Sequence, residues 1–146
     1  MTEKNPEIKI SLSLVGQSGE ILDLDELTKH LDIMPTKTRT LDDWPETIKQ
    51  PKIELPDWLR PRCVWKVELE YEECLAVHFR FEEMVSILRG KEKAINLLSK
   101  ELHLKAYFTV AIAAHHDRMP DMSLTKENIE FIASIGAEVG FDMYLY

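Results

Sequence analysis

KAYFTVAIAA, residues 105–114, is the stretch on which the fold turns. Ala106, Phe108, Val110, Ile112 and Ala114 hold one set of alternate positions, and Tyr107, Thr109, Ala111 and Ala113 hold the other. Successive side chains of a strand point to opposite faces. Alternation with small or apolar residues on both sides therefore predicts a strand covered on both faces, at the centre of a sheet. The polar HHDRMPDM (115–122) ends it, and a helix follows, with Thr125 as N-cap, Leu124 and Ile129 as a staple, and Gly136 past the last turn. Val139, Phe141, Met143 and Leu145 then alternate into a last strand.

The start of the chain reads the same way. In IKISLSLV (8–15), Ile8, Ile10, Leu12 and Leu14 lie on one face, and Gly16 and Gly19 break the run. A helix follows, with Asp23 as N-cap, Glu26 placed for a capping box and Leu22 for a staple on Leu27; Pro35 marks that it has ended. Leu22, Leu27, Leu31 and Ile33 stand at the same offsets as Leu124, Ile129, Ala133 and Ile135, which suggests one duplicated strand–helix–strand unit. Between the two copies, residues 62–71 alternate with Cys63, Trp65, Val67, Leu69 and Tyr71 inward and Lys66, Glu68 and Glu70 outward. Residues 79–102 are helical, with a break at Gly90. The pattern predicts an α+β fold: a ferredoxin-like, four-stranded, mostly antiparallel sheet with helices on one face and an extra helical segment between the middle strands.

Residues 34–61 carry Pro35, Pro45, Pro51, Pro56 and Pro61, which excludes long helices and inner strands. Trp44, Ile48, Ile53, Leu55 and Trp58 are too apolar for a disordered linker. The expectation is a flap wrapped over the core, with a short edge strand at TKTRT (36–40).

At 146 residues the chain fits one domain, 1–146, large enough for its own core. No apolar run reaches the ~18–20 residues of a membrane span, and the first residues lack the apolar segment of a secretion signal, so a cytoplasmic protein is expected. Two cysteines, Cys63 and Cys74, make no disulfide framework and have no metal-ligand spacing. The net charge of −8, from 18 basic and 26 acidic residues, disfavours nucleic acid and anionic membrane and suits a basic protein partner. An uncovered edge strand would leave room for a homodimer.

Chemistry is thin. His115 and His116 are adjacent, so on a strand they point apart and cannot share one ion; with Asp117 they read as a polar turn before a helix. No HExxH, GxSxG or phosphate-loop pattern occurs, and GQSG (16–19) reads as a turn. No catalytic residue, metal or cofactor is expected. What remains is a candidate surface for a partner or ligand. Lys37, Arg39, Arg60 and Arg62 bracket the flap as its basic residues, and Trp44 and Trp58 are the aromatic groups that would pin it or anchor a ligand. Glu68 and Glu70, with Glu72 on the same outer face, offer an acidic strip to a basic partner.

The whole pattern resembles an uncharacterised bacterial single-domain family, one of the numbered domains of unknown function. The resemblance runs through IMPTKT (33–38), the proline-bearing loop, the strand entered by Trp65, LSKELHLKAYFTVAI (98–112) and LTKENIEFIASIGAEVGFDMYLY (124–146). Relatives tend to have a glycine after PTKTRT, where this chain continues LDDWPE (41–46). The resemblance attaches no catalytic residues to these motifs. The acidic charge, the missing catalytic motif and the tryptophan-bearing flap point to a non-enzymatic binding protein, and the resemblance adds an immunity-type protein as one such role. The other reading is a small-molecule binder or minor enzyme with a pocket under the flap, lined by Trp44, Trp58 or Arg62.

Overall fold

The computed structural model describes residues 4–146. Its elements, in chain order, are β1 (Glu7–Val15), α1 (Leu24–Leu31), β2 (Lys37–Arg39), the single turn α2 (Glu46–Lys49), β3 (Val64–Glu73), α3 (Val77–Leu88), α4 (Glu92–Glu101), β4 (Lys105–Ala114), α5 (Lys126–Ser134) and β5 (Glu138–Leu145). The strands form one sheet in the order β2-β3-β1-β4-β5. Neighbours are antiparallel except β4 and β5, which are parallel.

The fold is α+β, but the four-stranded sheet expected from the sequence is corrected to a five-stranded mixed one. Two β–α–β crossovers interlock in it. β1 and β2 are joined through α1 with β3 lying between them, and β3 and β4 are joined through α3 and α4 with β1 lying between them. The third, β4–α5–β5, joins direct neighbours. The two stretches that look duplicated therefore do different jobs. After α1 the chain pairs only three residues, Lys37–Arg39, at the far edge, before β3 turns back against β1. KAYFTVAIAA is an interior strand, held by β1 on one side and β5 on the other.

Alternation sorts the sheet into two faces. Ile8, Ile10, Leu12, Leu14, Trp65, Val67, Phe108, Val110 and Ile112 are buried in one core with residues of α1, α3, α4 and α5. Phe81 of α3 meets Phe108 with ring centroids 4.9 Å apart, and the Trp65 Nε1 donates to Thr28 Oγ1 of α1 at 3.1 Å. Helix ends follow local chemistry. Asp23 caps α1 by accepting from the Asp25 and Glu26 amides, 3.1 and 3.2 Å. Thr125 and Asn128 cap α5 reciprocally, both at 3.1 Å. Gly90, at φ 88°, takes the left-handed turn that separates α3 from α4.

One irregularity changes the expected faces of β3. Ile8 pairs with Glu72 but Ile10 pairs with Leu69, so Glu70 and Tyr71 together oppose Lys9 in a bulge. The phase slips by one residue. Tyr71, expected inward, lies with Lys9 on the open face, 5.5 Å from ring centroid to Nζ. Glu72, expected on the outer face with Glu68 and Glu70, turns to the helical side and pairs with Arg80 at 3.1 Å. Arg80 itself is buried, 3 % exposed. Its Nε donates to the Ile8 carbonyl at 3.1 Å, its Nη2 to the Glu70 carbonyl at 2.5 Å, and its Nη1 reaches Glu83 at 2.7 Å.

The flap differs too. No residue from 34 to 61 is fully buried: Leu41 packs partly against the core, but four helices cover the apolar face and the flap does not wrap it. It sits instead at one end of the sheet's open face, near the C-terminus of β1 and the N-termini of β3 and β4.

Candidate functional site

The open face begins where the alternation leaves its polar residues. β1 contributes Lys9, Ser11 and Ser13; β3 contributes Lys66 and Glu68; β4 contributes Tyr107 and Thr109. Register aligns them across the strands, Ser13 opposite both Lys66 and Tyr107, and Ser11 opposite both Glu68 and Thr109. Lys37 of β2 stands opposite Lys66.

Glu68 is the deepest charge on this face, its side chain 2 % exposed. Lys9 Nζ lies 3.2 Å from one of its oxygens and Lys37 Nζ 3.5 Å from the other. Burial alone would raise its pKa, but the hydrogen bond and charge of Lys9 and the charge of Lys37 outweigh burial and hold it below the usual glutamate value. Lys9 shows the counterpart: burial pulls it down, and Glu68 with Glu70 lifts it above the usual lysine value. A carboxyl with a depressed folded pKa contributes stability above its unfolded value of ~4.3 and loses it as pH falls through the folded one. Wild-type protein should therefore lose more urea resistance than Glu68→Gln between about pH 5 and pH 3. Parallel midpoints for the two proteins across that window would show that the ion cluster adds nothing.

The flap is tied down at its two ends. Arg62 is the clamp: Nη1 donates to the Gly16 carbonyl at 3.2 Å, and Nη2 to the Asp57 carbonyl at 3.0 Å and to its carboxylate. Ser18 Oγ donates to the same carboxylate at 3.2 Å. These two hydrogen bonds, Arg62 first, hold Asp57 below the usual aspartate range. The GQSG turn is thus a flap anchor, completed by the Gly16 amide on the Cys63 carbonyl and the Gly19 amide on the Pro61 carbonyl, both 2.9 Å. At the other end Trp44 Nε1 donates to the Arg62 carbonyl at 2.8 Å, and the Arg39 guanidinium lies 4.0 Å over the Trp44 ring. Arg60 serves the flap internally, its Nε donating to the Leu55 carbonyl at 3.0 Å.

Flap and sheet enclose an open groove of about 600 Å³. It is lined by Ser13, Val15, Val64, Lys66, Lys105, Tyr107 and Trp58, with Arg62 and its partner Asp57. A second depression of about 470 Å³, with Lys37, Thr38, Arg39 and Asp43, shares Val64 and Lys66 with it. Basic side chains thus line both, from Lys37 to Lys105, and three of them carry an acid: Lys37 on Glu68, Arg62 on Asp57 and Lys105 on Glu138 at 3.1 Å. Trp58 stands 75 % exposed at the groove's rim.

The surface residues named from the sequence divide accordingly. Arg39, Trp44 and Arg62 meet at the flap's base, Trp58 and Arg62 reach the large groove, and Lys37 and Arg39 line the second depression. Glu68 is enclosed by lysines, and Glu70 lies in the bulge with its carboxylate 3.9 Å from Lys9. The acidic strip is therefore divided between faces. Sequence reasoning missed Ser13, Lys66, Lys105 and Tyr107. Their signal was the polar phase of each alternating strand, read only as the side away from the core. The His115 ring packs edge-on to Tyr146 at 4.5 Å, and its carbonyl accepts from the Arg118 amide at 3.0 Å. Among the described residues no group of three His, Cys, Asp or Glu side chains is placed to hold a metal ion, and no helix is long and apolar enough to cross a membrane.

The interlocked sheet, the flap and the closing α5–β5 unit all fall within residues 6–146, and that span matches the model of the family described as a domain of unknown function (DUF4279). The chain belongs to this family. The match takes in the flap, the groove and the terminal strand together, so the site described above lies wholly inside the family's domain. No curated protein and no solved structure matches the chain.

Proposed function

We propose that this member of the DUF4279 family is a binding protein, not an enzyme, and that its ligand is a small anion carrying a flat apolar part, held between the flap and the open face of the sheet. The observation that carries this reading is the groove of about 600 Å³, lined by Lys66, Lys105, Ser13 and Tyr107 beside the exposed ring of Trp58. Ammonium and hydroxyl donors suit an anion, and a solvent-facing indole suits a stacked ring. Arg62 is already spent on Asp57 and the Gly16 carbonyl, so it shapes the groove; Lys105 is paired with Glu138 at 3.1 Å, and Lys66 is the ammonium that meets the ligand.

Phenyl phosphate carries both parts; inorganic phosphate and benzyl alcohol carry one each. Titrated against the tryptophan fluorescence, phenyl phosphate should saturate in the low-millimolar range or tighter, with each control weaker. Lys66→Gln and Trp58→Ala should each weaken it roughly tenfold, a loss of about 1.4 kcal/mol. No saturation by phenyl phosphate, or saturation unchanged in both variants, would overturn the reading.

Trp58 favours a second reading in a cytosolic, immunity-type protein: the ring is the aromatic anchor for a partner protein. For a basic partner, the attraction would come from the overall charge of −8, because Glu68 and Glu72 are engaged by Lys9, Lys37 and Arg80. Capture of a partner that Trp58→Ala abolishes and phenyl phosphate does not compete would favour this reading.

A further inference from the structure

We propose that β5 is a self-association edge: two copies pair their β5 strands antiparallel about a two-fold axis, with Phe141 opposite Phe141, in one continuous sheet of twice five strands. The two edges of the sheet are not alike. β2 is three residues long, carries Lys37 and Arg39, and continues straight into the flap. β5 is eight residues long and, among the described residues, pairs with β4 alone. Phe141, Met143, Tyr144 and Leu145 are 41–57 % exposed. Phe141 and Met143 continue the helical-side rows of Val110 and Ile112, where the apolar face is otherwise covered. A long apolar edge with open backbone groups is a template for another strand, and a symmetric pair closes it.

The residues of β5 select the register. A two-fold axis perpendicular to the sheet keeps each residue on its own face, so only same-face residues can oppose each other. Centring on Asp142 sets two carboxylates against each other. Centring on Met143 pairs only residues 141–145 of the strand. Centring on Phe141 keeps 138–144 paired, with Val139 against Met143 on the apolar side. It also sets Asp142 against Gly140 of the partner subunit. Gly140 is where the chain needs no side chain, because the Tyr107 hydroxyl occupies the place of a Cβ there. Asp142 of one copy thus meets a phenol donor of the other rather than a second acid.

Sedimentation of the full chain at about 100 µM should give twice the 17.0 kDa chain mass. Phe141→Lys should return it to one chain mass, while a cooperative thermal transition shows that it still folds. On a non-reducing gel Phe141→Cys should cross-link spontaneously, since opposed Cα atoms lie ~4.5–5.5 Å apart, within disulfide reach. Met143→Cys should not, its copies being about 13 Å apart along the strand. If Phe141→Lys unfolds the chain, the cysteine pair decides alone. A single-chain mass for the wild type, a dimer that survives Phe141→Lys, or faster cross-linking at 143 than at 141 would overturn the proposal.

Discussion

Arg80→Ala should cost about 3–5 kcal/mol of folding stability, measured by urea unfolding at neutral pH. That is a large part of the 5–15 kcal/mol typical of a domain. Arg80 is 3 % exposed and is the shared donor of the β1–β3 bulge. Its guanidinium serves the carbonyls of Ile8 and Glu70, on the two strands flanking the bulge. Without it the buried Ile8 carbonyl and the part-buried Glu70 carbonyl must find other partners, at about 1–3 kcal/mol for the first and the low end of that range for the second. The carboxylates it also touches matter less: the side chains of Glu72 and Glu83 are 69 % and 55 % exposed and keep water when the arginine is gone. Glu72→Gln and Glu83→Gln should each stay under about 1 kcal/mol. Arg80→Lys should fall between, since an ammonium keeps the charge but cannot span two carbonyls and two acids in one plane. An Arg80→Ala midpoint within 1 kcal/mol of wild type would show that the bulge does not depend on this donor.

Arg80 also shows where reading the sequence stops. Val77, three residues before it, and Met84, four after, are both buried, so the helical period alone places the arginine inward. Its partners, Ile8 and Glu70, come from two strands, and no local pattern points to them. The same boundary runs through the fold. KAYFTVAIAA, the Asp23 and Thr125 caps and the Gly90 break were legible because each rests on a short-range rule. The strand order was not: TKTRT was legible as a short edge strand, but three exposed residues do not say which strand they join. In the candidate site, the basic residues around the flap and both flap tryptophans stood out by composition. Ser13, Lys66 and Tyr107 did not, since only the cross-strand register puts them side by side. Glu68 was read as a free charge because Lys9 and Lys37 reach it from two other strands.

Trp65→Ala should be as damaging as the loss of Arg80, and it separates the three tryptophans by environment. Trp65 is fully buried on β3, opposite Leu14 of β1 and Thr38 of β2. Its Nε1 donates to Thr28, tying α1 to the sheet. Truncation removes the largest apolar side chain of the core and leaves a cavity between α1 and the strands, while the Thr28 hydroxyl keeps its bond to the Leu24 carbonyl. Such a change costs about 3–5 kcal/mol. Trp65→Phe refills most of the space without the donor and should recover over half of that loss. Trp44 has one hydrogen bond and one stacked guanidinium at the flap's base, so Trp44→Ala should cost about 1–2 kcal/mol. Trp58, 75 % exposed, should cost within about 0.5 kcal/mol when truncated, while its loss weakens phenyl phosphate. Urea midpoints should rank Trp65 far below Trp44 and Trp44 below Trp58. If Trp58→Ala destabilised the fold as much as Trp44→Ala, its ring would be holding the flap down, and the indole offered to a ligand at the groove's rim would be lost to the proposal.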